Sequence, residues 1–209
     1  MTFVAPDFAF ERERHALGER FVAGVDEVGR GPLAGPVGVA AVILSHEAPP
    51  GIADSKVLDA ARREALFPLI LESALSVSIA FASAEEIDCY NIRGATLRAM
   101  ARAVAGLAIR PDFVLIDGRD LPEALGCPGR AIIDGDALCL SIAAASIVAK
   151  VARDRLMARL DPHFPGYGFS RHAGYATAAH RAALERLGLT PIHRRSFRTS
   201  ANAIPNNFL

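Results

Sequence analysis

The sequence predicts an α/β fold: a mixed five-stranded sheet flanked by helices, with a C-terminal helical extension. Three observations predict it. Two β-prone runs, Phe21 to Val28 and Val37 to Leu44, open the fold as a hairpin around a glycine- and proline-rich turn. Strand-like and helix-like segments then alternate, as they do when helices cover a sheet. Finally, 209 residues at 51% hydrophobic content are enough for one sizeable core, so residues 1–209 are read as one domain without internal repeats. Within it, residues 20–160 are expected to form the core and residues 161–209 a basic, helical part.

The elements follow in order. A polar loop with Pro49, Pro50 and Gly51 leads through Asp54-Ser55-Lys56 to a short helix over Ala60 to Glu72, and Leu75 to Ala82 gives a third strand. Ser83-Ala84-Glu85-Glu86 has the form of an N-cap with acids in the first turn, opening a single helix that runs to Leu107. Pro111 stops that pattern. Phe113 to Ile116 is a continuous apolar run of strand length ending in Asp117-Gly118, and Ala131 to Ile133 is a shorter one meeting Asp134-Gly135-Asp136. Cys139 to Leu160 then reads as a long helix with an alanine-rich, close-packing face, ended by Asp161-Pro162; Pro165 to Gly168 is a loop and Thr177 to Leu187 the last helix.

Composition excludes several classes. The N-terminus lacks the basic start and apolar stretch of a signal peptide, and the longest apolar run, Ile142 to Ala149, is far short of the roughly 20 residues that span a bilayer. A cytoplasmic protein without a membrane partner is expected. Cys89, Cys127 and Cys139 are widely spaced, which favours reduced thiols over a disulfide framework or thiolate zinc site. Net charge is zero, yet from His163 onward six arginines (Arg171, Arg181, Arg186, Arg194, Arg195, Arg198) face one acid, Glu185. That basic quarter is either a solvated surface or a phosphate-binding face.

Acids recur where apolar strands run out: Asp26 and Glu27 after the first, Asp117 after the fourth, Asp136 just past the fifth. If the first and fourth strands are parallel neighbours, these ends converge at one sheet edge, where open α/β folds bind ligands. Carboxylates without histidine or cysteine favour Mg²⁺ or Mn²⁺, although any single acid could equally be a turn residue or helix cap. Asp26 and Glu27 present a geometric difficulty, because adjacent strand residues point to opposite faces. Both can serve one site only if the strand ends or bulges between them, a distortion that Gly29 and Gly31 make plausible. The segment Gly29 to Gly35 lacks both G-x-G-x-x-G and G-K-[ST] and leads into a strand, so a mononucleotide cradle is disfavoured. What remains is a rigid loop that a ligand can approach closely, with Arg30 beside the acids. The histidines form no H-E-x-x-H, and there is no G-x-S-x-G. His172 reads as a surface loop residue, or else as a proton shuttle near Tyr175.

Several blocks carry a family resemblance: Gly24 to Val37, Asp54-Ser55-Lys56, Leu115 to Gly118, Gly135-Asp136, Ile142 to Val151, and His193-Arg194-Arg195-Ser196-Phe197. In this order and spacing they resemble the signature blocks of bacterial ribonuclease HII, over nearly the whole chain after residue 20. The resemblance implies a ribonuclease H-like fold with Asp26, Glu27, Asp117 and Asp136 as catalytic, metal-binding acids holding two divalent ions. It also implies that Gly29-Arg30-Gly31, with Tyr175 of the His-x-Gly-Tyr block, reads the 2′-hydroxyl of a ribonucleotide at its junction with DNA. The implied substrates are RNA–DNA hybrids and DNA duplexes containing ribonucleotides, cut by a monomeric enzyme. Lys56, Lys150 and Arg195 are candidate phosphate contacts, with a solvated lysine, an intrahelical Lys150–Asp154 pair and a surface arginine as their alternatives. Ser146 shares a helical face with Lys150 and is either a substrate contact or a small packing residue; Tyr175 without the family would read as a core-edge aromatic.

The chain departs from the family pattern at Asp134, Ala137, Leu138, Arg119 and Ala173. Asp134 stands out, as a possible fifth acid that would compete for metal or repel DNA. Two rival classes are weaker. A non-catalytic nucleic-acid-binding module leaves the acids unexplained, and a small-nucleotide phosphohydrolase requires a closed pocket.

Overall fold

A computed structural model describes residues 5–45 and 48–197; Arg198 and the tail from Asn202 to Leu209 lie outside the described residues. The hairpin of β1 (Val22–Val28) and β2 (Val37–Leu44) is antiparallel, in register from Ala23↔Ile43 to Val28↔Gly38. β3 (Ala74–Ala82) pairs antiparallel with β2, β4 (Phe113–Asp117) parallel with β1, and β5 (Gly129–Ile132) parallel with β4. The result is a five-stranded mixed sheet in the order β3-β2-β1-β4-β5. The helices are α1 (Ala9–Ala16), α2 (Ala60–Ser73), α3 (Ala84–Ala105), α4 (Gly135–Leu138), α5 (Leu140–Leu160), α6 (Phe169–His172) and α7 (Ala178–Leu187). No helix among the described residues is long and apolar enough to cross a membrane.

β2 is apolar throughout because both of its faces are covered. On one face Val25, Val39 and Ala41 pack with Ile87, Ala99, Met100 and Ala103 of α3. On the other, Ala40 and Val42 meet Ala144, Ile147 and Val148 of α5, together with Leu66 and Ile70 of α2. The small residues have a geometric purpose: a Cβ built on Gly24 would stand 2.1 Å from the carbonyl carbon of Ser141, so the start of α5 rests directly on β1. Gly24→Ala is therefore expected to cost about 3 kcal/mol or more in urea unfolding, the upper range for overpacking. Gly31→Ala, where a Cβ would meet nothing within 4 Å, should stay within about 0.5 kcal/mol of the native protein. Equal stability of the two variants would contradict this packing.

The structure alters several expected elements. The helix expected over residues 84–107 is broken at Asn91 (φ 55°, ψ 169°), whose Oδ1 accepts from the amides of Arg93 and Gly94 and so caps a second segment. The long helix starts at Leu140, because Cys139 is extended and the preceding residues form the separate turn α4. Helix α1, not anticipated, places buried Glu11 at the start of α5, where its Oε1 accepts from the Ser141 amide at 2.8 Å. The chain after α5 folds back: Met157 packs with Tyr167, Phe169, Ala183 and Leu184 beneath Ala34 of the β1–β2 loop.

Candidate active site

Parallel pairing of β1 and β4 aligns Val25 with Ile116, which brings Asp26 and Asp117, one residue further along each strand, side by side. Asp136 joins them from α4. The Asp117 Oδ1 accepts the Gly135 amide at 2.7 Å, fastening the turn that carries Asp136 to the end of β4. One carboxylate oxygen from each of Asp26, Asp117 and Asp136 lies within 4.8 Å of the others, and Asp26 and Asp136 are 5% and 3% exposed.

Three such groups repel one another in a medium that solvates charge poorly. Burial, reinforced by the charges of Glu27, Asp117 and Asp136, holds the Asp26 carboxyl well above the usual range. Asp117 is also raised, by burial and then by Asp136. The nearest relief is Lys56, whose Nζ lies 2.6 Å from the Asp136 Oδ2 and 3.9 Å from Asp54. Burial opposes the ammonium, but its hydrogen bond to Asp136 and the acids around it outweigh that and raise its pKa. Asp54, part of the Asp54-Ser55-Lys56 block but without a role assigned from sequence, adjoins Asp136. Burial and the neighbouring Asp136 raise it too. Oxygen donors alone, crowded and attracting a cation already, suit a hard divalent ion.

Glu27 is not brought into the three-aspartate group. The β1–β2 register continues unbroken through Asp26↔Ala40, Glu27↔Val39 and Val28↔Gly38, so the strand neither ends nor bulges between Asp26 and Glu27 and the pleat sends Glu27 to the other face. There its Oε1 meets the Arg30 Nη1 at 3.3 Å, beside Asp117, Arg93 and Arg119. Burial raises the Glu27 carboxyl; Arg30 pulls it down and Asp117 pushes it up, so this acid senses both the loop and the cluster. Asp134 does not join either. It is exposed, in the left-handed region at φ 54°, and turns the chain into α4. The expectation of a fifth acid is corrected accordingly.

The loop from Gly29 to Pro36 is held from below. Arg194 donates from Nη2 to the Gly29 carbonyl (2.6 Å), from Nη1 to that of Arg30 (2.8 Å) and from Nε to that of Gly35 (3.0 Å). Arg153 takes the carbonyls of Pro36 and Ala34 at 2.8 and 3.3 Å. Gly29 has φ +82°, and a Cβ there would strike Arg153 Nε at 2.1 Å, so only glycine fits. Sequence reading missed both arginines. Arg153 carried no motif, and Arg194 was counted in a basic surface, whereas it is 1% exposed. Arg171, Arg181, Arg186 and Arg195 do face solvent.

Tyr175 stands over this platform, 39% exposed, with the Arg153 guanidinium 5.9 Å from its ring centroid. Its backbone is fixed by a histidine stack. The Thr190 amide donates to His193 Nδ1 at 2.9 Å, leaving His193 Nε2–H to donate to His180 Nε2 at 3.0 Å and His180 Nδ1–H to the Tyr175 carbonyl at 2.9 Å. Burial and the neighbouring His180 push His193 down to about 4, which keeps it neutral. His172 is half-buried: it stacks on His180 at 4.6 Å, with both ring nitrogens engaged by Tyr167 and Gly174.

Ser146 faces inward. Its hydroxyl donates to Ala143 and accepts from the Ser55 amide at 3.2 Å, so it anchors the loop that carries Lys56 and is corrected from a direct substrate contact. Lys150 pairs with Asp154 at 2.9 Å, and the exposed Arg195 has its backbone amide on Asp88. Of the departures, Leu138 is 46% exposed, Arg119 lies beside Asp117 and Asp120, and Ala173 caps α6 at φ 47°.

The chain has known relatives. A family model described as Ribonuclease HII matches residues 23–200. The ribonuclease HII of Ruegeria pomeroyi is 58% identical over 195 residues, covering 93% of this chain and 83% of that protein. That of Brucella ovis is 54% identical over 196 residues, covering 93% and 89%. Among solved structures, ribonuclease HII of Archaeoglobus fulgidus, seen in complex with PCNA, superposes with a TM-score of 0.74 at 28% identity, covering 86% of this chain and 96% of that one.

Proposed function

Because this chain belongs to the ribonuclease HII family of metal-dependent endoribonucleases, we propose that it hydrolyses the RNA strand of RNA–DNA hybrids and cuts on the 5′ side of single ribonucleotides embedded in duplex DNA. The observation that carries this reading is the buried group Asp26, Asp117 and Asp136 at the parallel strand ends, adjoining a loop whose backbone is held rigid. Asp26, Asp117 and Asp136 would hold two divalent ions, Mg²⁺ or Mn²⁺, with Glu27 completing the set from the opposite face beside Asp117, and such ions when bound would supply activation of the attacking water and stabilisation of the departing 3′-oxygen. The loop Gly29-Arg30-Gly31 and Tyr175 meet the ribose 2′-hydroxyl, which is both donor and acceptor and distinguishes RNA from DNA. That hydroxyl is recognised and takes no part as a nucleophile, so the products carry a 3′-hydroxyl and a 5′-phosphate. Lys56, Lys150 and Arg195 contact flanking phosphates, with Ser146 acting only through the loop it anchors. The cellular task is removal of ribonucleotides from DNA, by a monomer in the cytoplasm.

The test is a DNA duplex carrying one ribonucleotide, incubated beside an all-DNA duplex of the same sequence with Mg²⁺, Mn²⁺ or EDTA. A single metal-dependent cut 5′ of the ribonucleotide, with the all-DNA duplex intact, is expected. Failure of folded protein to cut under either metal would overturn the reading. A module that only binds would leave both duplexes intact.

A further inference from the structure

A peptide unit is planar and trans, so the N–H of one residue points opposite to the C=O of the residue before it. Arg194 draws the carbonyls of Gly29 and Arg30 inward. The amides of Arg30 and Gly31 are therefore directed the other way, towards solvent; both residues are exposed, and neither amide has an acceptor among the described residues. Two successive outward amides make a concave donor pair of the kind that holds an oxygen atom. Behind them lies a guanidinium that forms no ion pair among the described residues, joined by a second, Arg153, whose Nη1 is buried without a partner. The direct partners of both guanidiniums are neutral carbonyls, with Asp88 and Asp154 near but in no ion pair with them among the described residues, so two buried cations lie beneath the donor pair. Burial and the charge of Arg153 lower Arg194 to about 9, so it stays charged at neutral pH.

We propose that Arg194 is a positioning residue for substrate reading: it fixes the peptide planes of Gly29-Arg30-Gly31 so that the Arg30 and Gly31 amides present a polarised donor pair to an oxygen of the ribonucleotide. This rests on the reading that the loop meets the 2′-hydroxyl. It assigns the work to a side chain that never touches the substrate. The carbonyls are held by the planar fork of the guanidinium, a geometry that a lysine ammonium does not reproduce.

The experiment measures binding of the full chain, in Ca²⁺ in place of Mg²⁺, to a duplex with one ribonucleotide and to the all-DNA duplex. The readout is the ratio of the two affinities. Arg194→Gln is expected to reduce that ratio by about 10- to 100-fold, the equivalent of one or two misdirected hydrogen bonds, while the affinity for the all-DNA duplex stays within about threefold. Adding guanidinium ion to Arg194→Ala should restore part of the ratio. Should Arg194→Gln fail to fold, Arg194→Lys carries the same test, since the charge stays and the fork is lost. An unchanged ratio in a folded variant, or a parallel fall on both duplexes, would overturn the proposal. Absence of any preference in the native protein would instead remove the function reading on which it rests.

Discussion

Asp26→Asn should slow cleavage by about 10³-fold or more and, at the same time, stabilise the protein in EDTA. The first effect follows from removing one ligand charge at a site where metal ions supply several kcal/mol of transition-state stabilisation, each 1.4 kcal/mol being a factor of ten. The second follows from linkage. The Asp26 carboxyl is raised in the folded state, by burial and then by Glu27, Asp117 and Asp136, so the folded protein holds its proton more tightly than the unfolded chain does. Below the ordinary value near 3.8 both states are protonated and the fold bears no penalty. As pH rises above that value the unfolded chain ionises first, and stability falls until the folded group has ionised as well. Asparagine escapes this loss. The melting temperature of Asp26→Asn should therefore exceed that of the native protein in EDTA by a margin that widens from pH 4 to pH 8. A constant margin, or a less stable variant, would mean that Asp26 is not strained by its neighbours.

Glu27→Gln carries the second large effect and bears on the geometry that strand pleat leaves awkward. Its carboxylate faces away from Asp26 yet senses Asp117, and it bonds Arg30 at 3.3 Å. Glutamine keeps an oxygen for Arg30, so the loop should retain its shape, while the charge near Asp117 is lost. The expected outcome is a kcat about 10²-fold lower, of the order found when one charged or polar contact to the reacting centre is removed, with binding of the ribonucleotide duplex within about threefold. A variant with a near-native kcat would reduce Glu27 to an anchor for Arg30 and leave the three aspartates as the whole ligand set.

Much of this site could be read from the sequence because local rules govern it. Apolar runs that end in acids predicted strand ends carrying carboxylates, and the hairpin followed by alternating elements predicted a mixed sheet; parallel pairing of β1 and β4 was the condition for those ends to converge, and the structure meets it. What escaped depends on partners far away in the chain. Arg194 reaches Arg30 across 164 positions, and Glu11 reaches Ser141 across 130. Charge patterning treats an arginine as surface, and only the loop's crowd of inward carbonyls makes it a core residue here. His180 and His193 are hidden for the same reason: each satisfies the other, a pairing that spacing along the chain does not announce. The break at Asn91 was closer to visible, since asparagine followed by Arg93 and Gly94 is a capping pattern set within an otherwise helical run. Glu27 shows where local rules stop. Adjacent strand positions left its place open unless the strand ended or bulged, whereas the fold keeps its register and lets both Asp26 and Glu27 sense Asp117 from opposite faces.

The central claim is that carboxylates gathered at the strand ends form the metal site. Calorimetric titration of Mn²⁺ into the native protein and into Asp26→Asn, each in two buffers of different ionisation heat, tests it most directly. The native protein should bind Mn²⁺ with release of protons, because raised carboxyls must give theirs up to coordinate, and Asp26→Asn should lose both the tight binding and the proton release. Equal Mn²⁺ affinity and stoichiometry in the two proteins would contradict it.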